Sequence, residues 1–251
     1  MLAGVLPCGR LAPVRRESCR EQGGANRQGT VVSRPSLQPL DVLVAALDVR
    51  RPAVAAHSRR VSTFAVRLAA QYGLPPEAIE TIRLGALLHD VGKILVPVRI
   101  LTKPGRLTER EWQQLRSHSE IGAELGRDHD VAEAVRDIIL HHHEWYDGTG
   151  YPDCLEGASI AWPVRIVSVM DAFDALTSPR AYRAALSIEA ARSHIARDAG
   201  NRFDPWVVSG LLSLPRPLLE AASTPVTPYF PDGCPDHASL AATKMWTPRL
   251  R

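Results

Sequence analysis

The sequence predicts an all-α fold, on three observations. Apolar residues recur at helical spacing almost continuously from Asp41 to Leu212. No segment alternates convincingly with a period of two, and helix-start and helix-stop residues punctuate the periodic stretches. Asp41 is placed to cap a first helix carrying Val42, Leu43, Ala46 and Leu47. Pro52 breaks it, and a second helix runs from about Ala53 through His57, Val61, Phe64 and Leu68 to Tyr72, with Gly73 as its stop. Pro75-Pro76 opens a third helix with Ile79, Ile82, Ala86 and Leu87 on one side, ending at His89-Asp90. After the Lys103-Pro104-Gly105 turn, Thr108 and Glu111 form a capping box ahead of a helix bearing Leu115, His118 and Leu125 on one side.

The next segment has the cleanest period. Val131, Val135, Ile138, Ile139 and His142 share a face, so His142 and His143 continue a buried stripe to the helix end while His141 sits on its flank. Ile166, Val167, Met170, Asp171 and Asp174 mark one face of a further helix, Ser187 caps another, and Asp204-Pro205 opens the last. The helical region is expected to be one domain over 38–213. Residues 1–37, rich in Gly, Pro, Arg and Ser, read as a disordered or irregular N-terminal segment or a misassigned start. Residues 214–251, with seven prolines, read as an irregular C-terminal tail.

The charge balance excludes some partners. The chain of 251 residues carries a formal +3, but residues 1–37 hold six Arg against two Glu, which leaves the remainder about −1. No basic surface for a nucleic-acid polymer is expected. No apolar run approaches the roughly 18 residues that a membrane span needs. The N-terminus lacks the basic region of a secretory signal. Four scattered cysteines without a Cys-x-x-Cys pair predict neither disulfides nor a thiolate metal site, and fit a reducing cytoplasm.

Chemistry concentrates between Leu87 and Pro152, where six of the nine histidines lie. Histidine has no packing advantage in a core, and imidazole with carboxylate is the donor set for a divalent metal. His57, the His89-Asp90 pair and Asp171 fall on inward faces of separate predicted helices. A buried Asp is costly unless it is partnered, so Asp90 and Asp171 point to a cation, and the cation to an anionic substrate.

At this level of detail the chain, from about Asp41 to Leu212, resembles the HD-GYP domains, a branch of the HD superfamily of metal-dependent phosphohydrolases. The matching segments are His57-Ser-Arg-Arg-Val61, Leu88-His-Asp-Val-Gly-Lys93, Ile100 to Thr108, His118, His142-His-Glu-Trp-Tyr-Asp-Gly-Thr-Gly-Tyr-Pro152, Asp171-Ala-Phe-Asp-Ala-Leu-Thr177 and Arg180-Ala-Tyr-Arg183. The resemblance implies an HD-domain-like helical bundle. It also implies a metal-dependent cyclic di-GMP phosphodiesterase that yields linear pGpG, and in some members GMP, through a hydroxide bridging two metals. His57, His89, Asp90 and Asp171 match ligands of one ion, with Asp90 bridging to a second held by His118, His142 and His143. Members with a third metal carry a Glu where this chain has Ala53, so two ions are expected. Seven nitrogen and oxygen donors without sulfur suit iron or manganese.

Further roles follow from the resemblance. Asp90 and Lys93 are the catalytic candidates, Lys93 by reaching a phosphate oxygen. Gly150, Tyr151 and Pro152 are expected to line the substrate pocket, with the Tyr151 ring against a guanine. Arg180 and Arg183 are expected to contact phosphate or guanine edges; Arg183 and Ala181 replace the family's usual Lys and Pro. Glu144 and Asp147 are expected to cap the loop or support His142 and His143. Asp174 is expected to orient a ligand or pair with Arg180. The competing readings are a non-catalytic nucleotide-binding or protein-interaction module, which would be expected to lose ligands, and a hydrolase of another cyclic dinucleotide. Residues 1–37 are too few and too irregular for a receiver or sensory domain, which leaves three expectations open: a constitutive chain, control by a separate regulatory protein or a homodimer, or a fragment of a longer gene product.

Overall fold

A computed structural model describes residues 39–179 and 184–222. Eleven helices follow in order: α1 Pro39–Arg50, α2 Pro52–Gln71, α3 Pro76–Leu88, α4 Val98–Leu101, α5 Glu109–Arg116, α6 His118–Asp128, α7 Glu133–His141, α8 Trp162–Thr177, α9 Ile188–Arg197, α10 Pro205–Ser213 and α11 Arg216–Ala222. A short 3-10 turn, Val91–Ile94, follows α3. Among the described residues there are no β-strands, only two isolated bridges. The all-α expectation holds.

Most predicted boundaries hold for the predicted reasons. Pro52, Pro76 and Pro205 each open a helix near its first position, where the missing N–H costs nothing. Asp204 accepts from Trp206 N–H and Ser187 from Ala190 N–H, as expected of caps. The Thr108–Glu111 capping box is present in full. Gly73, with φ +66°, follows the end of α2.

Three expectations are corrected. Asp41 does not cap α1; the helix begins at Pro39, and Asp41 sits in the first turn, where the helix dipole favours a negative charge. The single helix expected over Leu115, His118 and Leu125 is two, broken at Ser117. There the side chains of Ser117, His118 and Ser119 bond the carbonyls of Gln114, Leu115 and Arg116, competing with the helical ladder. The folded region also runs past Ser213. Leu214 and Leu219 are buried and Arg67 donates to the Leu218 carbonyl, so the first part of the expected irregular tail packs as α11. The rest of that tail and residues 1–37 lie outside the described residues.

Two apolar clusters make the core. The larger joins α2, α3, α7, α8, α9 and α10, with Phe64 edge-on to Phe173 at 5.2 Å. The smaller joins α1, α3, the 3-10 turn and α7 through Leu43, Val44, Leu88, Val91, Val135 and Ile139. Fully burying each such side chain contributes roughly 1.5–3 kcal/mol. Helices α3 and α7 feed both clusters, through Ala86 and Leu88 and through Ile138 and Ile139. Being held on two sides, these helices present their C-terminal ends at fixed positions, and those ends carry the histidines.

Candidate metal centre

The seven predicted ligands come together from five helices and their flanking turns. His57 lies on α2, His89 ends α3 with Asp90 directly after it, His118 opens α6, His142 ends α7 with His143 next, and Asp171 lies on α8. Gly92 permits the closest approach. A Cβ there would run into the His118 carbonyl and the Gly122 amide, so only glycine lets the Val91–Ile94 turn lie against the start of α6. That contact sets His118 beside Asp90.

Orientation is set by the opposite ring nitrogens. His89, His118 and His142 each place Nδ1 on the backbone carbonyl three residues earlier, at 2.7, 2.6 and 2.9 Å. A carbonyl only accepts, so Nδ1 carries the proton, and the carbonyls used are orphans of a helix's last turn. His57 Nδ1 lies 2.7 Å from Asp174 Oδ2. The Nε2 atoms of His89, His118 and His142 therefore point inward as acceptors, and His118 Nε2 stands only 3.3 Å from His142 Nε2.

Asp90 lies at the centre. Its Oδ2 faces His89 Nε2 at 3.5 Å and His57 Nε2 at 4.0 Å, whereas Oδ1 faces His118 at 3.4 Å and His142 at 3.9 Å. His57 Nε2 also lies 3.0 Å from Asp171 Oδ1. Ligand atoms fall into overlapping groups within 4.8 Å of one another: His57, His89 and Asp171; His118, His142 and His143; and His89, Asp90 and His142. His89 Nε2 and Asp90 Oδ1 are buried without any hydrogen-bond partner, an arrangement too costly unless a cation occupies the space between them. The donors are oxygen and nitrogen only. The residues fit a divalent metal centre.

Electrostatics agree. Burial, with smaller contributions from neighbouring imidazoles, holds His142 well below the ordinary histidine range, and His143 is pushed to about 3. His89 is lowered chiefly by burial. Burial alone would raise Asp90 and Asp171, yet Lys93 and the histidines around Asp90, and His57 beside Asp171, lower both. These are the protonation states that ligation requires. His57 differs: burial is outweighed by hydrogen bonds to Asp171 and Asp174, and it is raised to about 9.

Asp174 proves to be the orienting residue. Besides His57, it accepts from Arg60 Nε and Nη2 at 2.6 and 2.9 Å; Arg60 went unremarked in the sequence although it shares a helix face with His57. Arg180 and Arg183 themselves lie outside the described residues. Lys93 donates to Asp90 Oδ2 at 2.6 Å.

The Gly-Tyr-Pro loop is built around Glu144. This buried carboxylate accepts from the backbone N–H groups of Asp153 and Leu155, which is the loop-capping role. Asp147 accepts from Thr149 in a local turn. Gly150 packs on the backbone of Glu144 and Trp145 too closely for any Cβ. The Tyr151 ring stacks 4.8 Å from His143, with the Arg116 guanidinium 5.0 Å above it; burial raises its phenol. His141 is tied to Asp137 and Asp153, away from the ligands as expected. A cavity of about 580 Å³ opens on the centre, lined by His57, Asp90, Lys93, His143 and Asp171 among others. Tyr151 adjoins it through His143, and Gly150, Tyr151 and Pro152 are not in its wall, whereas Trp112, Trp145 and Arg202, none singled out as site residues in the sequence, are. No sequence signal marks such residues, since only the tertiary fold brings them to the opening.

The HD domain family profile matches residues 41–207. The chain is 37% identical over 214 residues to the cyclic di-GMP phosphodiesterase response regulator RpfG of Xanthomonas campestris pv. campestris (strain 8004), covering 82% of this chain and 57% of the relative. It is 37% identical over 172 residues to 3'3'-cGAMP-specific phosphodiesterase 2 of Vibrio cholerae, covering 68% of this chain and 33% of that protein. The chain thus spans about half the length, or less, of these relatives. Among solved structures, Bd1817, an HDG"Y"P protein from Bdellovibrio bacteriovorus, matches with a TM-score of 0.54 at 24% identity, covering 63% of this chain and 51% of that one. No helix among the described residues is long and apolar enough to cross a membrane. With its His-Asp centre, its Gly-Tyr-Pro loop and these likenesses, the chain belongs to the HD domain family, in its HD-GYP branch.

Proposed function

We propose that the chain is a metal-dependent cyclic di-GMP phosphodiesterase that opens one phosphodiester to linear pGpG, with GMP as the alternative end product. The observation that carries this reading is the two-sided Asp90 carboxylate, with imidazole nitrogens 3.4–4.0 Å from each oxygen. It supports two ions, one held by His57, His89 and Asp171, the other by His118, His142 and His143, with Asp90 shared. Ala53 brings no further carboxylate to the cavity wall. Seven donors without sulfur favour iron or manganese. When bound, divalent cations lower the pKa of water and neutralise charge on phosphoryl oxygens.

The chain's own residues do the rest. Backbone carbonyls hold the three imidazoles in one tautomer, and Asp174, clamped by Arg60, holds the fourth. Lys93, at the cavity wall beside Asp90, is the cation available to a phosphate oxygen. The cavity is of the size usual for small-molecule sites. Tyr151 with Arg116 offers a stacked edge to a base, and Arg180 and Arg183 are assigned to phosphate or guanine contact by their motif. The name of the Vibrio cholerae relative favours 3'3'-cGAMP as the second reading of substrate. We place the activity in the cytoplasm, consistent with unpaired, scattered cysteines, with control by a separate protein or a second copy.

The test is hydrolysis of cyclic di-GMP under anaerobic iron or manganese loading, for the unsubstituted chain, His89→Ala and Asp90→Ala. Either variant is expected to lose about a hundredfold or more in rate, because activation of water fails. Activity persisting in Asp90→Ala contradicts its bridging role. Metal-loaded protein that binds cyclic di-GMP without forming linear product sinks the enzyme reading.

A further inference from the structure

The cavity beside the centre is also walled by a group that neither metal binding nor the Gly-Tyr-Pro loop uses. Trp145, two residues beyond His143, carries the guanidinium of Arg202 over its ring, 4.6 Å from the centroid, with Phe203 at 5.4 Å. All three line the cavity. The loop that bears Arg202 is stitched to the ligand loop: Tyr146 N–H donates to the Arg202 carbonyl at 3.2 Å, and Asp147 N–H to the Asn201 carbonyl at 2.8 Å. Gly200, at φ +85°, donates to the Phe203 carbonyl and closes the turn.

Arg202 is therefore positioned although nothing neutralises it. Among the described residues no carboxylate pairs with it, whereas Arg59, Arg60 and Arg165 each have an aspartate. Stacking occupies the face of a guanidinium and leaves its in-plane N–H donors free. A planar fork of two parallel donors matches the O6 and N7 acceptors of guanine. Adenine presents one acceptor and one donor on the same edge and matches poorly.

We propose that Arg202, braced on Trp145 at the cavity wall, reads the guanine edge of the cyclic dinucleotide and sets the preference for guanine over adenine. This rests on the phosphodiesterase reading above. The experiment compares kcat/KM for cyclic di-GMP and cyclic di-AMP in the metal-loaded unsubstituted chain, Arg202→Ala and Arg202→Lys, with metal content measured on each. Where cyclic di-AMP turns over too slowly, its inhibition constant replaces kcat/KM. Both variants are expected to lose about tenfold or more toward cyclic di-GMP, the usual worth of a bidentate guanine contact, and much less toward cyclic di-AMP. Arg202→Lys keeps the charge and the apolar stem, so a preference preserved in that variant overturns the fork. Equal losses for both substrates point to a base-blind phosphate or structural role and overturn the proposal too, as does no loss at all. If the unsubstituted chain hydrolyses neither substrate nor 3'3'-cGAMP, it is the phosphodiesterase reading that fails.

Discussion

At the residue scale, the centre depends on what lies behind each ligand. Three histidines use a helix-end carbonyl to fix their tautomer, which costs the chain nothing because those carbonyls have no ladder partner. His57 sits too early in α2 for that device and instead uses Asp174, itself buried and held by Arg60. Removing this support is expected to weaken metal binding by about 10- to 100-fold in Asp174→Asn, read by metal titration with the ligands intact. Unchanged affinity would show that Asp174 does not orient His57. Gly92 is the other decisive residue. Gly92→Ala drives a methyl into backbone on α6, which cannot give way as a side-chain tip does. A loss at or above the roughly 1–3 kcal/mol typical of overpacking is expected in chemical denaturation, together with loss of bound metal.

At the element scale, the break between α5 and α6 places the site on that side of the molecule. Side-chain bonds at Ser117, His118 and Ser119 end one helix and start the next, so His118 occupies a first turn and Trp112 lies in the cavity wall. Helix α5 buries none of its residues, so its capping box carries unusual weight. Glu111, hydrogen-bonded first to Lys103 and then to Thr108, is depressed from 4.5 to about 2. A carboxylate depressed by folding contributes stability that is complete above its unfolded pKa and fades as pH falls toward the folded one. Local order at α5 is thus expected to be constant above pH 4.5 and to decline between there and about pH 2. Hydrogen exchange of the α5 amides should report it, and Glu111→Gln should abolish that pH dependence. Persistence of the same acid profile in Glu111→Gln would assign it elsewhere.

At the scale of the whole molecule, the centre ties together α2, α3, α6, α7 and α8, elements that also pack through the two apolar clusters and a few polar bonds. A cation bound by residues from all five belongs to the folded state alone, so its binding adds directly to stability. At free metal a hundredfold above its dissociation constant the gain is about 2.7 kcal/mol, and for a domain of this size the melting temperature is expected to drop by roughly 5–10 °C on chelation. A melting curve indifferent to chelator would contradict the proposed closure of the bundle by metal. Metal analysis of purified protein is expected to find about two ions per chain. Three would refute the inference drawn from Ala53.

Much of this was legible in the sequence because it is local. A period of 3.6 residues, prolines at helix starts, Thr108 with Glu111, and Ser187 and Asp204 as caps are all satisfied within a few residues of where they stand. The candidate ligands were legible for a related reason. His89-Asp90 and His142-His143 continue apolar stripes, and a polar group on a buried face needs a partner wherever the fold puts it. Boundaries failed where a side chain competed with the backbone, as at Ser117, or where a buried anchor such as Leu219 lay beyond a run of prolines. By itself, then, the sequence determined an all-α bundle and which residues could hold a metal. Only the tertiary structure decided which oxygen of Asp90 faces which histidines, that Arg60 serves Asp174, and that Arg202 lies over Trp145. The physical reason is range: helices form from contacts three and four residues apart, whereas these pairings span tens of residues and exist only once two cores have fixed the helices together.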